Sequence, residues 1–332
     1  MKKIAFHTLG CKLNFTESSA LAQRFEQAGY TVVPAEEQAD VYIVNTCTVT
    51  AEAEKKCRQF IHRIHRRFPQ AEIAVTGCFS ELRGAEIRAM AGVTYVLGTA
   101  DKTRLIDMKR HGATRPDAPG TTAAATDNPA NVTAAREQAA PAFTPLHSAK
   151  GRTRSFFKIQ DGCDNFCTYC AIPYARGRSR SATIAQTVEA ARRIAADGFK
   201  EVVFTGVNIG DFGRKNGERF VDLLRALATV DGIARWRLSS VEPDLLDSEI
   251  IELVADEPKF MPHFHIPLQA GSDAVLRAMK RRYDTAFFAR KAEEIRRRLP
   301  DAFIAADVIV GFPTETAADF EDGYRFIESL PI

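Results

Sequence analysis

Short apolar runs alternate with helix-length segments along two stretches of this chain, and that rhythm limits its fold more than any other feature. In the first stretch, residues 1–100, strands are expected at Lys3–Leu9, Asp40–Asn45, Glu72–Thr76 and Val93–Leu97. Helices are expected at Thr16–Ala28, Ala51–Arg67 and Glu81–Met90. Alternation at these lengths predicts an α/β fold with a parallel sheet and helices on both faces. From Lys109 to Lys150 the pattern dissolves into Ala, Thr, Pro, Asn and Gly, which reads as a linker, flexible at least in part. The rhythm then resumes, with strands at Ser155–Gln160, Glu201–Thr205, Arg235–Ser239, His263–Ile266 and Phe303–Val310. Helices lie between and after them, at Ile184–Ala196, Phe220–Val230, Asp247–Ala255, Asp273–Met279, Ala286–Leu299 and Ala317–Ser329. This second series fits a parallel β/α barrel or partial barrel, whose active site belongs at the carboxyl ends of the strands. A six-stranded partial barrel needs one more strand than the series supplies before Ile332, so a truncated C-terminal end is expected. The expected division is 1–108, a linker over 109–150, and 151–332.

The composition, 45% hydrophobic and 26% charged, is that of an ordinary globular protein. No apolar run approaches the ~18 residues of a membrane span. The apolar start at Ile4-Ala5-Phe6 meets His7, Gly10 and Lys12 too early for a signal peptide, so a cytoplasmic protein without a membrane partner is expected. In that setting seven cysteines argue for metal or redox chemistry rather than a disulfide framework.

The cysteines fall at informative places. Cys11, Cys47 and Cys78 each follow a predicted strand of the first stretch, two of them directly after a glycine, Gly10 and Gly77. Carboxyl ends of parallel strands share one edge, so three cysteines distant in sequence are expected to converge there as a metal site. Cys57 lies within a predicted helix and reads as a structural residue. Cys163, Cys167 and Cys170 form Cys-x-x-x-Cys-x-x-Cys, directly after the first strand of the second stretch. Three thiolates at this spacing can cap three corners of a 4Fe–4S cube and leave one iron open. A zinc knuckle is the other source of such spacing, but only one Cys-x-x-Cys occurs and no His follows at finger distance.

This triple-cysteine loop, with Tyr169 before its last cysteine, resembles that of the radical S-adenosylmethionine (SAM) enzymes. Several strand ends carry a narrower resemblance: Thr205-Gly206-Val207-Asn208, Ser239-Ser240-Val241-Glu242-Pro243, Pro267-Leu268-Gln269-Ala270-Gly271-Ser272, Met279-Lys280-Arg281-Arg282-Tyr283 and Asp307-Val308-Ile309-Val310-Gly311-Phe312-Pro313. Together with the three early cysteines they look like the methylthiotransferases of that superfamily. Leu9-Gly10-Cys11-Lys12-Leu13-Asn14 and Asn45-Thr46-Cys47-Thr48 look like the subtype acting on threonylcarbamoyl-adenosine in tRNA.

The resemblance implies a Rossmann-like first domain, a radical SAM partial (β/α)6 barrel and, in the family, a terminal RNA-binding TRAM domain absent from this sequence. It implies that Cys163, Cys167 and Cys170 hold the cluster that cleaves SAM, and that Cys11, Cys47 and Cys78 hold an auxiliary 4Fe–4S cluster. The implied reaction is methylthiolation of carbon 2 of the adenine. It would use two SAM and an electron donor such as flavodoxin or ferredoxin, with the tRNA anticodon stem-loop as the macromolecular partner. An aromatic C–H gives an acid or base no handle, so the cofactor must carry the hard step.

Candidate SAM contacts at the strand ends are Tyr169, Thr205, Gly206, Ser240, Glu242, Gln269 and Asp307, with Glu242 accepting from ribose hydroxyls. The net charge of +3 is weak, but basic residues cluster along 51–67, at Arg176, Arg178 and Arg180, and along 277–298, where they would meet RNA phosphates. Alternative readings are methylthiolation of isopentenyl-adenosine in tRNA, methylthiolation of a ribosomal-protein aspartate, and a non-catalytic iron–sulfur redox protein.

Overall fold

The structure is a computed structural model that describes residues 1–47, 51–110, 143–148 and 152–332. Most of the expected linker, 111–142 and 149–150, lies outside the described residues, as do Thr48, Val49 and Thr50 after Cys47. The chain divides into two compact units. The first comprises Met1–Ala142, Leu146–Gly151 and Ala171–Arg178; the second comprises Phe143–Pro145, Arg152–Cys170 and Ser179–Ile332.

In the first unit β1 (Lys3–Thr8), α1 (Lys12–Gln27), β2 (Thr31–Val33), β3 (Val41–Thr46), α2 (Ala51–Arg67) and β4 (Glu72–Gly77) follow in order. They continue into α3 (Cys78–Leu82), α4 (Gly84–Arg88), β5 (Val93–Val96), α5 (Arg104–Arg110) and the short β6 (Leu146–His147). The sheet is parallel, in the order β2-β1-β3-β4-β5. Alternation along β3 explains its burial on both sides. Val41 and Ile43 pack with Leu21 and Phe25 of α1 and Leu105 and Ile106 of α5. Tyr42 and Val44 pack with Cys57, Phe60, Ile61 and Ile64 of α2. The central strand of a sheet covered on both faces reads as a near-continuous apolar run, here residues 41–44. All of β3 is buried, with the polar Asn45 and Thr46 hydrogen-bonded at its end.

Three local expectations differ. The helix expected over 81–90 is two short helices, α3 and α4, broken at Arg83, whose φ and ψ of −130° and 38° are not helical. The first helix starts at Lys12 rather than Thr16, directly after Cys11. The edge strand β2 and helix α5 were not expected; the strand has only three residues, too few to show a period.

The second unit contains five parallel strands in sequence order: β7 (Ser155–Lys158), β10 (Glu201–Thr205), β11 (Arg235–Arg237), β12 (His263–His265) and β13 (Phe303–Ala305). Single bridges at Trp236–Phe260, Ser240–His265 and Gln269–Val308 extend the pairing past the strand ends. A small antiparallel pair, β8 (Gln160–Asp161) with β9 (Arg180–Ser181), flanks the cysteine loop. Helices α7 (Ile184–Ala196), α8 (Phe220–Ala228), α9 (Ser248–Asp256), α10 (Asp273–Ala278), α11 (Thr285–Arg298) and α12 (Ala317–Ser329) complete the unit, and α6 (Ile172–Arg176) belongs to the first.

One set of strand residues, Phe157, Val202, Phe204, Trp236, Phe264 and Ile304, joins α7, α8, α9 and α11 in a single apolar core. Phe204 and Trp236 stack with ring centroids 5.4 Å apart. Each buried aromatic of this kind contributes about 1.5–3 kcal/mol. The alternate positions fall on the opposite face and are mixed, with the polar Lys158, Thr205, Arg237, His263 and His265 beside the apolar Phe156, Val203, Phe303 and Ala305. The last expected strand is ordered only over Phe303–Ala305, and Val308 and Val310 beyond it are exposed.

Candidate active site

In the second unit the strand β7 leads through β8 into the loop Cys163–Cys170. Gly162 makes the entry turn with a φ of 74°, and Phe166 adopts a left-handed φ of 48° within the loop. Non-glycine residues hold that conformation at a cost of about 1–3 kcal/mol and do so chiefly at functional sites. The loop is pinned to the end of α10: Thr168 donates from its N–H to Met279 O at 3.3 Å and from its hydroxyl to Ala278 O at 3.0 Å. All three sulfurs are half-buried and free of disulfides. Burial pushes the Cys163 thiol up to about 12, with the nearby Cys170 and Cys167 adding to the rise. The three sulfurs are soft donors, the donor set that iron–sulfur clusters use.

Among the described residues no three His, Cys, Asp or Glu side chains close around a single ion. A cubane does not require that closure, since each thiolate takes its own iron.

The expected SAM contacts lie along one edge. Thr205 ends β10 and Gly206 follows it; Ser240 and Glu242 follow β11; Gln269 follows β12; Asp307 follows β13. Thr205 Oγ1 and Asn208 Oδ1 are buried without a hydrogen-bond partner among the described residues. Buried orphaned oxygens are costly and mark a place where a polar ligand fits. Gln269 holds a left-handed φ of 70°, its N–H bonded to Asp307 O at 2.8 Å. The Asp307 carboxylate lies 2.9 Å from His265 Nε2. Glu242 is paired with Arg281 rather than open to solvent. Burial raises the Glu242 carboxyl, and Arg281 opposes that rise.

Two residues escaped the sequence reading. Gln160, fully buried, accepts at Oε1 from Val207 N at 3.0 Å and Asn208 N at 2.8 Å. Its Nε2 donates to Gly162 O at 2.7 Å and Ser179 Oγ at 3.0 Å. It therefore ties the cysteine loop to the turn after β10. Arg281, read as a phosphate-facing cation, is instead 4% exposed and points at Cys167 and Tyr169. No local signal separates it from Arg282 beside it, which is exposed.

In the first unit Cys11 caps α1 after β1, Cys47 follows β3 and Cys78 opens α3 after β4. These three strands are neighbours in the sheet, so the three cysteines end adjacent strands at one edge. Gly10 and Gly77 hold φ values of 114° and 109°. A Cβ on Gly10 would meet Cys47 Cβ at 2.7 Å and Sγ at 3.1 Å. A Cβ on Gly77 would meet Thr46 O at 2.3 Å. Only glycine permits this closeness. Cys47 and Cys78 are buried and Cys11 is exposed.

Behind them lies a buried ionic network. Glu17 accepts from Arg176 Nη1 at 3.0 Å and is also paired with Lys102. Arg176 Nη2 reaches Asn14 Oδ1 at 2.7 Å, and Lys102 Nζ reaches Asn45 Oδ1 at 3.2 Å. Burial lowers the Lys102 ammonium, which Glu17 opposes. Arg176 is therefore a structural cation and not a phosphate contact, because a guanidinium removed from water needs full pairing. Arg180 is paired with Asp161 at 2.8 Å, and Arg296 donates to Ala302 O at 3.0 Å and Pro331 O at 2.9 Å. Helix α2 keeps an exposed basic face of Lys55, Lys56, Arg63, Arg66 and Arg67. Cys57 is buried on the other face, its thiol raised to about 12 by burial, as a structural cysteine should be.

Comparison with known proteins places this architecture. The radical SAM superfamily is matched over residues 157–327, and an uncharacterized protein family, UPF0004, over residues 3–98. A solved radical S-adenosylmethionine methyltransferase from Kitasatospora setae shares the fold, with a TM-score of 0.69 at 16% identity over 99% of this chain and 72% of that one. The threonylcarbamoyladenosine tRNA methylthiotransferase of Bacillus subtilis is 41% identical over 99% of this chain and 71% of its own length. The enzyme of that name from Aquifex aeolicus is 37% identical over 99% and 78%. A tRNA-2-methylthio-N(6)-dimethylallyladenosine synthase from Syntrophotalea carbinolica is 35% identical over 99% and 74%. The chain belongs to the radical SAM superfamily and, within it, to the tRNA methylthiotransferases. It is thus an enzyme of a class that works with SAM and a 4Fe–4S cluster. Among the described residues no helix is long and apolar enough to cross a membrane.

Proposed function

We propose that the protein methylthiolates carbon 2 of threonylcarbamoyl-adenosine beside the anticodon of tRNA. The observation that carries this reading is its 41% identity, over nearly the whole chain, to an enzyme named for that substrate. Relatives named for dimethylallyladenosine stand at 33–35%, a range that two further relatives named for threonylcarbamoyladenosine share at 35% and 33%, while those at 37–41% carry the threonylcarbamoyladenosine name.

When bound, two 4Fe–4S clusters and two SAM molecules supply the radical, the sulfur and the methyl group. The chain's own residues hold and orient. Cys163, Cys167 and Cys170 present three thiolates from one loop, and Cys11, Cys47 and Cys78 present three more from adjacent strand ends. Thr205 and Asn208 offer unpaired buried oxygens to SAM, with Tyr169, Gly206, Ser240, Gln269 and Asp307 around the same edge. Glu242 receives the ribose hydroxyls on its oxygen not engaged by Arg281. Electrons come from a small carrier such as flavodoxin or ferredoxin. The basic face of α2 meets RNA phosphates. The proposed place of action is the cytoplasm.

Mass spectrometry of tRNA nucleosides from cells with and without the gene tests the assignment. The 2-methylthio derivative of threonylcarbamoyl-adenosine is expected to vanish in the deletion and return on complementation. Its persistence, with loss of a 2-methylthio mark on isopentenyl-adenosine or on a ribosomal-protein aspartate, would refute the assignment.

A further inference from the structure

Arg281 sits where α10 ends. Lys280 before it takes a left-handed φ of 58°, and Arg281 N–H closes the turn on Leu276 O at 2.9 Å. That backbone turn sends the guanidinium inward, where it is 4% exposed. It donates from Nη1 to Cys167 Sγ at 3.2 Å and to Tyr169 OH at 3.3 Å, and from Nε to Tyr283 OH at 3.1 Å. Nη2 is paired with Glu242. Tyr283 in turn donates to Pro267 O, and its ring lies 4.9 Å from the guanidinium carbon. The cysteine loop rests on the same turn through Thr168. So one helix end positions both the loop and the cation that touches its sulfur.

A buried guanidinium is an expensive group, and pairing with Glu242 makes its burial tolerable. Packing alone would not need a charged donor aimed at a sulfur that an iron is to occupy. Hydrogen bonds to cluster sulfurs withdraw electron density and raise the reduction potential. We infer that Arg281 is a positioning residue whose hydrogen bond to Cys167 sets the reduction potential of the cluster held by Cys163, Cys167 and Cys170, with Glu242 and Tyr283 fixing the guanidinium. The inference rests on the reading of that loop as a cluster site.

The test uses the full chain with Cys11, Cys47 and Cys78 replaced by Ala, so that a single cluster reports. Iron content is measured first, then the midpoint potential by redox titration followed by electron paramagnetic resonance, without SAM or tRNA. Arg281→Met is expected to keep the cluster and to lower the reduction equilibrium constant at least tenfold, about 59 mV for one electron. Arg281→Lys, which keeps a cationic donor, is expected to fall between, and Tyr283→Phe to shift less than Arg281→Met. Equal potentials across the set would overturn the inference while leaving the loop as a cluster site. Loss of iron to the same extent in Arg281→Lys and Arg281→Met would also overturn it, by reducing Arg281 to a packing role. No iron in the parent with Arg281 intact would instead refute the cluster reading itself.

Discussion

Single residues next to the cysteines have little room to change. Gly77 joins β4 to Cys78 in a conformation that other residues reach only under strain, and a Cβ there would run into the backbone carbonyl of Thr46. Backbone cannot swing aside as a flexible side chain can. Gly77→Ala is therefore expected to destabilise the first unit by about 2–4 kcal/mol, from left-handed strain and overpacking together. Chemical denaturation followed in the first unit would measure this, and a loss below the 0.5 kcal/mol typical of neutral surface changes, roughly, would contradict the account. Gly29, also at positive φ but with nothing within 4 Å of a Cβ, is the control, in which only the strain remains. The need for glycine before Cys11 and Cys78 is legible in the sequence, because both follow apolar strands. The reason for it is not, because Thr46 and Cys47 approach only once β3 lies between β1 and β4.

At the scale of the element, α2 separates its two roles by face. Cys57, Phe60, Ile61 and Ile64 are buried at helical spacing, while Lys55, Lys56, Arg63, Arg66 and Arg67 remain outside. Arg63 lies over the Phe60 ring at 5.1 Å, which steadies its charge at the surface. The other basic clusters lose members to the interior: Arg176 to Glu17 and Asn14, Arg281 to Cys167 and Glu242, Arg296 to carbonyls. The exposed face of α2 is thus where the proposed RNA contact is tested. Arg63→Glu with Arg66→Glu is expected to weaken tRNA binding and to lower the slope of affinity against salt by about 2, one for each phosphate contact. Filter binding across a salt series reads this, with iron content as the check on folding. An unchanged slope would remove α2 from the RNA interface. Helical spacing made α2 legible residue for residue. The exchange of surface for burial at Arg176 and Arg281 was not, because charge runs look alike in sequence whether water or a carboxylate receives them.

At the scale of the whole molecule, two units with separate apolar cores each carry three cysteines at the carboxyl ends of parallel strands. On the proposal that each triad holds a cluster, separate cores let each be loaded on its own scaffold. The anaerobically reconstituted protein is expected to hold about eight iron atoms per chain, falling to about four when either triad is replaced by Ala. Iron and sulfide analysis checks this. About four in the intact protein, unaffected by loss of Cys11, Cys47 and Cys78, would leave only the SAM cluster.

The sequence by itself determined the alternating elements, the parallel class of both units and the six cysteines at strand ends, because hydrophobic period and spacing are local properties. Helices such as Ala51–Arg67, Ile184–Ala196 and Ala317–Ser329 stand where their periodicity puts them. Only the tertiary structure decided that β1, β3 and β4 are neighbours, that Thr205 and Asn208 carry unpaired oxygens, and that Arg281 reaches a cysteine sulfur. Each of those depends on partners more than 25 residues away or on what burial leaves unpaired, and neither is written in any window of the chain.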